Sequence, residues 1–129
     1  MTQKQPMRLR RSQLAVPGSS EKMLTKAAQS SADHVFCDLE DAVAPSAKPA
    51  ARHTIVDALN SLDWGKKTRC VRVNDVGTEW CYEDIITVVE GAHANLDTIM
   101  LPKPMCAADV RFVDLLLSQL EAKLKIKKR

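Results

Sequence analysis

Arg69-Cys70-Val71-Arg72-Val73-Asn74-Asp75 is the stretch that decides the fold. Its residues alternate. Val71 and Val73 take one face of a strand, while Cys70, Arg72 and Asn74 take the other. A strand covered by helices on both sides reads as a continuous apolar run. Arg72 and Asn74 do not fit that description. They fit a strand of a closed barrel, whose inner face opens toward a site. Upstream, His34-Val35-Phe36-Cys37-Asp38-Leu39-Glu40 repeats the pattern, with Asp38 and Glu40 sharing a face with Phe36.

Working outward, strands alternate with helices. Gln13-Leu14-Ala15-Val16-Pro17 is a short apolar run closed by Pro17-Gly18, a turn signal. Ser19 and Ser20 suit the cap of a helix running to about Ser30, with Met23, Leu24, Ala27 and Ala28 on one face. A second helix follows Pro45 and Ser46. Its apolar stripe is Ala51, Ile55, Leu59 and Leu62, and Pro49 fits only its first turn. Gly77 ends the third strand, and Thr78 is placed to cap a helix bearing Ile85, Val88, Val89 and Ala92. Thr98 to Lys103 forms the fourth strand. The last helix carries Val110, Val113, Leu117, Leu120 and Leu124 at 3-4-3-4 spacing, the clearest amphipathic signal in the chain.

Four such units imply parallel pairing with right-handed crossovers. Two architectures compete. The length of 129 residues favours an open doubly wound sheet. The polar inner faces of strands two and three favour a (β/α)8 barrel, which needs about 250 residues.

Composition excludes several classes. With 45% hydrophobic residues the chain is too apolar for disorder. Its net charge of +3 is unevenly distributed. Residues 12–122 hold ten basic against sixteen acidic groups, a balance of −6. The ends carry the excess: Lys4, Arg8, Arg10 and Arg11 in one, and Lys123, Lys125, Lys127, Lys128 and Arg129 in the other. This argues against a nucleic-acid-binding face. No stretch approaches the ~20 apolar residues of a membrane helix. The polar start shows no secretory signal. Cys37, Cys70, Cys81 and Cys106 lack metal or redox spacing, so free thiols and a cytoplasmic setting are expected.

The strand ends carry the chemistry, because all C-terminal ends of parallel strands share one rim. Strand two ends in Asp38, Glu40 and Asp41, strand three holds Arg72, and strand four ends in Lys103. An arginine beside two carboxylates is held by charge-assisted bonds and can grip a substrate anion; a structural salt bridge is the plainer alternative. Pro17-Gly18-Ser19-Ser20 can cradle a phosphate or simply cap a helix. Lys103, between two prolines, is a rim ligand for an anion or a solvated lysine.

Several segments together resemble one family. They are Arg11-Ser12 with Leu14 and Val16-Pro17-Gly18-Ser19, then Val35-Phe36 with Asp38-Leu39-Glu40-Asp41-Ala42-Val43-Ala44-Pro45, then Asp63-Trp64-Gly65, Val71-Arg72-Val73-Asn74 and Pro102-Lys103. The chain is similar in these to the HpcH/HpaI aldolase and citrate lyase β-subunit family, nearest its malyl-CoA and β-methylmalyl-CoA lyases. The resemblance implies a (β/α)8 TIM barrel of α/β class, assembled as homotrimers or hexamers. It implies Mg²⁺-dependent, reversible cleavage of a 3-hydroxyacyl-CoA, such as malyl-CoA to acetyl-CoA and glyoxylate.

On this resemblance Arg72 holds the substrate oxygens, Asp38 and Glu40 orient Arg72 and metal-bound water, and Lys26 reaches toward the CoA moiety. The direct Mg²⁺ ligands, a Glu on strand five and an Asp on strand six, are expected beyond Arg129. Ala15 and Ser20 stand where the lyases often carry an aromatic residue and an arginine. Residues 1–11 then read as a polar basic segment, and 12–129 as the N-terminal half of the barrel, inactive by itself. A citryl-CoA lyase subunit and a malyl-CoA thioesterase share this fold. A non-catalytic α/β module binding an acyl-CoA or a protein is the rival from another class.

Overall fold

The computed structural model describes residues 7–127. Of the basic ends, Lys4, Lys128 and Arg129 lie outside those residues.

The order is β1 (Gln13–Pro17), α1 (Glu21–Gln29), β2 (His34–Asp38), α2 (Lys48–Ser61), β3 (Thr68–Arg72), α3 (Cys81–Ala92), β4 (Thr98–Met100) and α4 (Ala107–Leu124). Single 3₁₀ turns at Pro45–Ala47 and His93–Asn95 precede α2 and β4. Local chemistry explains most boundaries. The Met23 N–H donates to Ser20 Oγ at 3.2 Å, capping α1 as its sequence suggests. Pro49 sits in the first turn of α2, where no intrahelical donor is needed. Lys125 adopts a left-handed conformation (φ 54°), and the Ile126 N–H returns to Glu121 O at 2.9 Å, closing α4.

All strands are parallel, in the order β1-β2-β3-β4. Sequential order with right-handed crossovers puts every helix on the same side. A doubly wound sheet needs the order to reverse, so the open-sheet architecture suggested by length is overturned. This is the arrangement of four consecutive units of a (β/α)8 barrel.

The register aligns the strands in rows that alternate between the two faces. Val16, Cys37, Val71 and Ile99 form a row against the helices, the first three fully buried. They pack with Leu24, Ile55, Leu59, Ile85 and Val88 in the core. On the opposite face, Ala15, Phe36, Cys70 and Thr98 form one row, and Pro17, Asp38, Arg72 and Met100 the next. Ala15 is exposed and Phe36 half-buried, as befits an inner face open on one side.

Some expectations need correction. Thr78 does not cap α3, whose cap position is Trp80; Thr78 Oγ1 donates instead to Asp75 O at 2.7 Å, within the turn. Met23 is exposed rather than on the buried face of α1. The amphipathic stripe of α4 is the least buried: only Val113 and Leu120 are enclosed, while Val110 is 55% exposed. The cause is that α4 packs on α3 and has no helix on its other flank among the described residues.

Two of the basic residues before β1, Arg8 and Arg11, are ion-paired to the body of the fold. Arg8 grips Asp97 through both terminal nitrogens, at 3.0 and 2.8 Å, and also donates to Lys67 O. Arg11 pairs with Asp33 at 2.9 Å. These contacts lie at the N-terminal ends of the strands, opposite the rim. Cys37, Cys70 and Cys81 are buried free thiols, and Cys106 is an exposed one. No helix among the described residues is long and apolar enough to cross a membrane.

Candidate active site

The parallel register sets Asp38 of β2 directly beside Arg72 of β3. Both occupy the last position of their strands, on the inner face. Arg72 Nε donates to Asp38 Oδ1 and Nη2 to Oδ2, each at 2.8 Å, a bidentate pair. Asp38 also accepts the Glu40 N–H at 2.9 Å and the Ala42 N–H at 3.0 Å. Its carboxylate is 1% exposed and fully bonded. Burial by itself pushes the Asp38 carboxyl up. The Arg72 guanidinium and the two amides outweigh burial and hold it below the usual range. Conversely, Asp38 raises the pKa of Arg72 against a smaller effect of burial. The Phe36 ring supports the guanidinium from 5.2 Å.

Arginine has five N–H donors, and Asp38 takes two. Of the rest, Nη1 lies 3.5 Å from Glu40 Oε1, too far for a strong bond. A fixed guanidinium edge therefore remains for an anion. The bidentate pair and the free edge coexist, so the structural salt bridge and the binding role are compatible.

Glu40 and Lys103 follow the strands, on loops at the rim. Lys103 Nζ lies 3.1 Å from Glu40 Oε2 and 3.4 Å from Asp41 Oδ1. The contact with Glu40 is off the hydrogen-bonding direction, so Oε2 accepts no hydrogen bond among the described residues. Both carboxylates raise the Lys103 pKa, Glu40 most.

Asn74 departs from expectation. β3 ends at Arg72, and Asn74 enters a buried network instead of lining the inner face beside it. Its Nδ2 donates to Leu39 O and Asp84 Oδ2, and its Oδ1 accepts from Lys48 Nζ at 2.8 Å. Lys48 Nζ also donates to Leu39 O at 2.7 Å and Glu40 O at 2.8 Å. Arg52 Nε donates to Asp84 Oδ1 at 2.7 Å. Burial lowers the Lys48 pKa, opposed by Asp84 and the rim carboxylates. This network fixes the backbone from which Glu40 projects. The sequence reading missed Lys48, Arg52 and Asp84, although Lys48 and Arg52 fall on the stripe of Ala51 and Ile55 at helical spacing.

Two other candidates behave differently. Lys26 stands exposed on α1, and no hydrogen bond or ion pair joins it to the rim cluster among the described residues. In the Pro17–Ser20 turn, the Gly18 N–H is spent on Asp38 O at 2.8 Å and the Ser20 N–H on Pro17 O at 3.3 Å. A phosphate cradle thus lacks two of its donors. Gly18 is required for close approach, since a Cβ there would sit 2.6 Å from Asp38 O and 2.5 Å from Ile55 Cδ1.

Four consecutive parallel βα units thus place an acid-anchored arginine at the C-terminal rim, an arrangement of the barrel type. The sequence profile of the HpcH/HpaI aldolase/citrate lyase family matches residues 11–128, and the chain belongs to that family. It is 46% identical over 124 residues to the L-malyl-CoA/β-methylmalyl-CoA lyase of Rhodobacter capsulatus, covering 96% of this chain and 39% of that protein. It is 42% identical over 103 residues to a (3S)-malyl-CoA thioesterase of Cereibacter sphaeroides, covering 80% and 35%. Among solved structures, it matches Mycobacterium tuberculosis CitE in complex with magnesium, acetoacetate and coenzyme A. The TM-score is 0.64 and the identity 38%, over 79% of this chain and 36% of that one. The chain thus spans well under half the length of these relatives.

Proposed function

We infer that this chain contributes the first four βα units of a lyase barrel that cleaves a 3-hydroxyacyl-CoA, with malyl-CoA as the leading substrate. The observation that carries the reading is the unsatisfied edge of Arg72, fixed by Asp38 at the rim. The 46% identity to a malyl-CoA/β-methylmalyl-CoA lyase supports the choice of substrate.

In the cleavage of malyl-CoA the hydroxyl proton leaves and its C–O becomes the carbonyl of glyoxylate. The C–C bond breaks, and its electron pair enters the thioester as an enolate. The enolate then takes a proton at carbon to give acetyl-CoA. Negative charge grows on oxygen during these events. Arg72 is already held flat by Asp38, so it donates to such an oxygen without reorganising. Asp38 keeps its plane fixed. Glu40, anchored through its backbone by Lys48, faces the same space. Lys26, exposed on α1, is proposed to meet the phosphates of CoA.

Magnesium, present in the CitE complex, belongs to this reading of the whole enzyme. Among the described residues no three His, Cys, Asp or Glu side chains are placed to hold a metal. Asp38 and Glu40 are committed to Arg72 and Lys103, so no step is assigned to a metal through this chain. The residues 12–129 by themselves are therefore proposed to be inactive, and the complete barrel to be a homotrimer or hexamer.

The test is a chimera joining this chain to the remaining part of the Rhodobacter capsulatus lyase. It should release glyoxylate from malyl-CoA in Mg²⁺ buffer. Arg72→Met should lower the rate by about 10²–10³-fold, the loss typical of one donor to a developing oxyanion. A folded chimera that releases no glyoxylate refutes the reading, as does a fully active Arg72→Met variant. The thioesterase relative favours a second reading; release of CoA and malate without glyoxylate would support it.

A further inference from the structure

Lys103 has an unusual backbone geometry. It is one of two non-glycine residues with positive φ among the described residues, at 48°. The other, Lys125, closes α4. Lys103 closes no helix, and it precedes Pro104, which biases the preceding residue toward extended backbone. Such strain persists at a site only where neighbours over-determine it.

The conformation holds the ammonium 3.1 Å from Glu40 Oε2. Glu40 is 5% exposed, and that oxygen accepts no hydrogen bond among the described residues. Its other oxygen faces Arg72 Nη1 at 3.5 Å. Glu40 is thus held between two cations, ion-paired to Lys103 at 3.1 Å and only loosely to Arg72 at 3.5 Å. Closing roughly 0.7 Å toward Arg72 would make a normal charge-assisted bond and fill the guanidinium edge.

We propose that Lys103 is a positioning residue that holds Glu40 back from Arg72, keeping the Arg72 edge free for the substrate anion. This rests on the reading of Arg72 above. It predicts that losing Lys103 weakens substrate binding through Glu40, not through a lost contact between Lys103 and substrate. Lys103 is exposed on its loop, so its replacement should leave the fold intact.

Two measurements separate the possibilities. The first uses this chain and needs no activity: hydrogen exchange of the Arg72 Nη protons, followed by arginine-selective NMR. Lys103→Met should slow it as Glu40 closes on Nη1, and Lys103→Arg should leave it near the parent rate. Unchanged exchange in Lys103→Met overturns the proposal. The second uses the chimera and malyl-CoA. Lys103→Met should raise KM about tenfold, the order of one charge-assisted hydrogen bond, with kcat changed much less.

In a Glu40→Gln background the same substitution should leave KM unmoved, since no carboxylate remains to restrain. A KM penalty that persists there shows Lys103 binding the substrate itself and overturns the restraint. A chimera without lyase activity counts against the proposed function; the exchange measurement still decides the role of Lys103.

Discussion

Replacing Arg72 with Met should expose how the Asp38 pair is balanced. The substitution keeps bulk against Phe36 but removes two of the four hydrogen bonds to a carboxylate that is 1% exposed. Stripping one partner from a buried pair costs about 3–5 kcal/mol. The Arg72 side chain is 25% exposed and the two amides remain, so about 2–3 kcal/mol is expected here, discounted for solvent screening.

The pH dependence carries the sharper test. In the native chain the Asp38 carboxyl lies below its ordinary value. Its contribution is present above an unfolded pKa of about 3.9 and is lost as pH falls through the lower folded value. Without Arg72, burial, the largest single effect, is opposed by the two amides alone, and the folded value is expected to rise above the unfolded one. That cost is greatest at neutral pH and is relieved as acid protonates Asp38. The gap between the two proteins must therefore shrink from pH 7 toward pH 4. Urea unfolding followed by the fluorescence of buried Trp64 gives the gap at each pH. A gap below about 0.5 kcal/mol, typical of surface substitutions, or one that does not change with pH, refutes this account of the pair.

Other outcomes follow from single features. Gly18→Ala should cost about 1–3 kcal/mol in the same assay, because its Cβ meets Asp38 O and Ile55 Cδ1. Lys48→Met leaves the buried Asn74 Oδ1 without its donor and takes one of two donors from each of the Leu39 and Glu40 carbonyls, and should cost about 1–3 kcal/mol, the penalty for one orphaned buried group. A disulfide reagent at pH 8 should label Cys106 rapidly in the native chain and the other three thiols only on unfolding. Burial pushes Cys37 up to about 12 and Cys81 up to about 11, so raising the pH to 9 should not expose them. Rapid labelling of more than one thiol would contradict the packing.

The pairing of Asp38 with Arg72 was legible because two periodicities agree. Strand alternation puts each on the polar face, and parallel pairing aligns the strand ends. Asn74 obeys the same alternation only while the strand continues; β3 stops at Arg72, and the next residues turn under the rim. Lys48 went unread because the helix was recognised by its apolar residues alone. Yet Lys48, Ala51, Ile55 and Leu59 lie on one stripe, and a lysine there needs buried acceptors, which the Leu39–Glu40 backbone provides. In α4 pattern and burial diverge. Its apolar pattern is strong, but periodicity reports a capacity to be buried. Burial itself needs a neighbour, and α3 covers only one flank.

The charge asymmetry gains meaning from the topology. The N-terminal arginines and the last turn of α4 both fall at the N-terminal ends of the strands, where Arg8 meets Asp97 and Lys127 lines the same hollow as Asp97. The opposite rim gathers Asp38, Glu40 and Asp41 against Arg72 and Lys103. Those carboxylates neutralise the very cations that would attract an anion. On the proposed function Arg72 would orient a carboxylate or enolate oxygen, while the rim supplies little net attraction to bring one in. Attraction must come from additional positive charge placed against this rim. A divalent cation is the charge that the solved relative carries. On this argument the chain's contribution is geometric, and a weak affinity of the chain alone for oxo acids is what its electrostatics require.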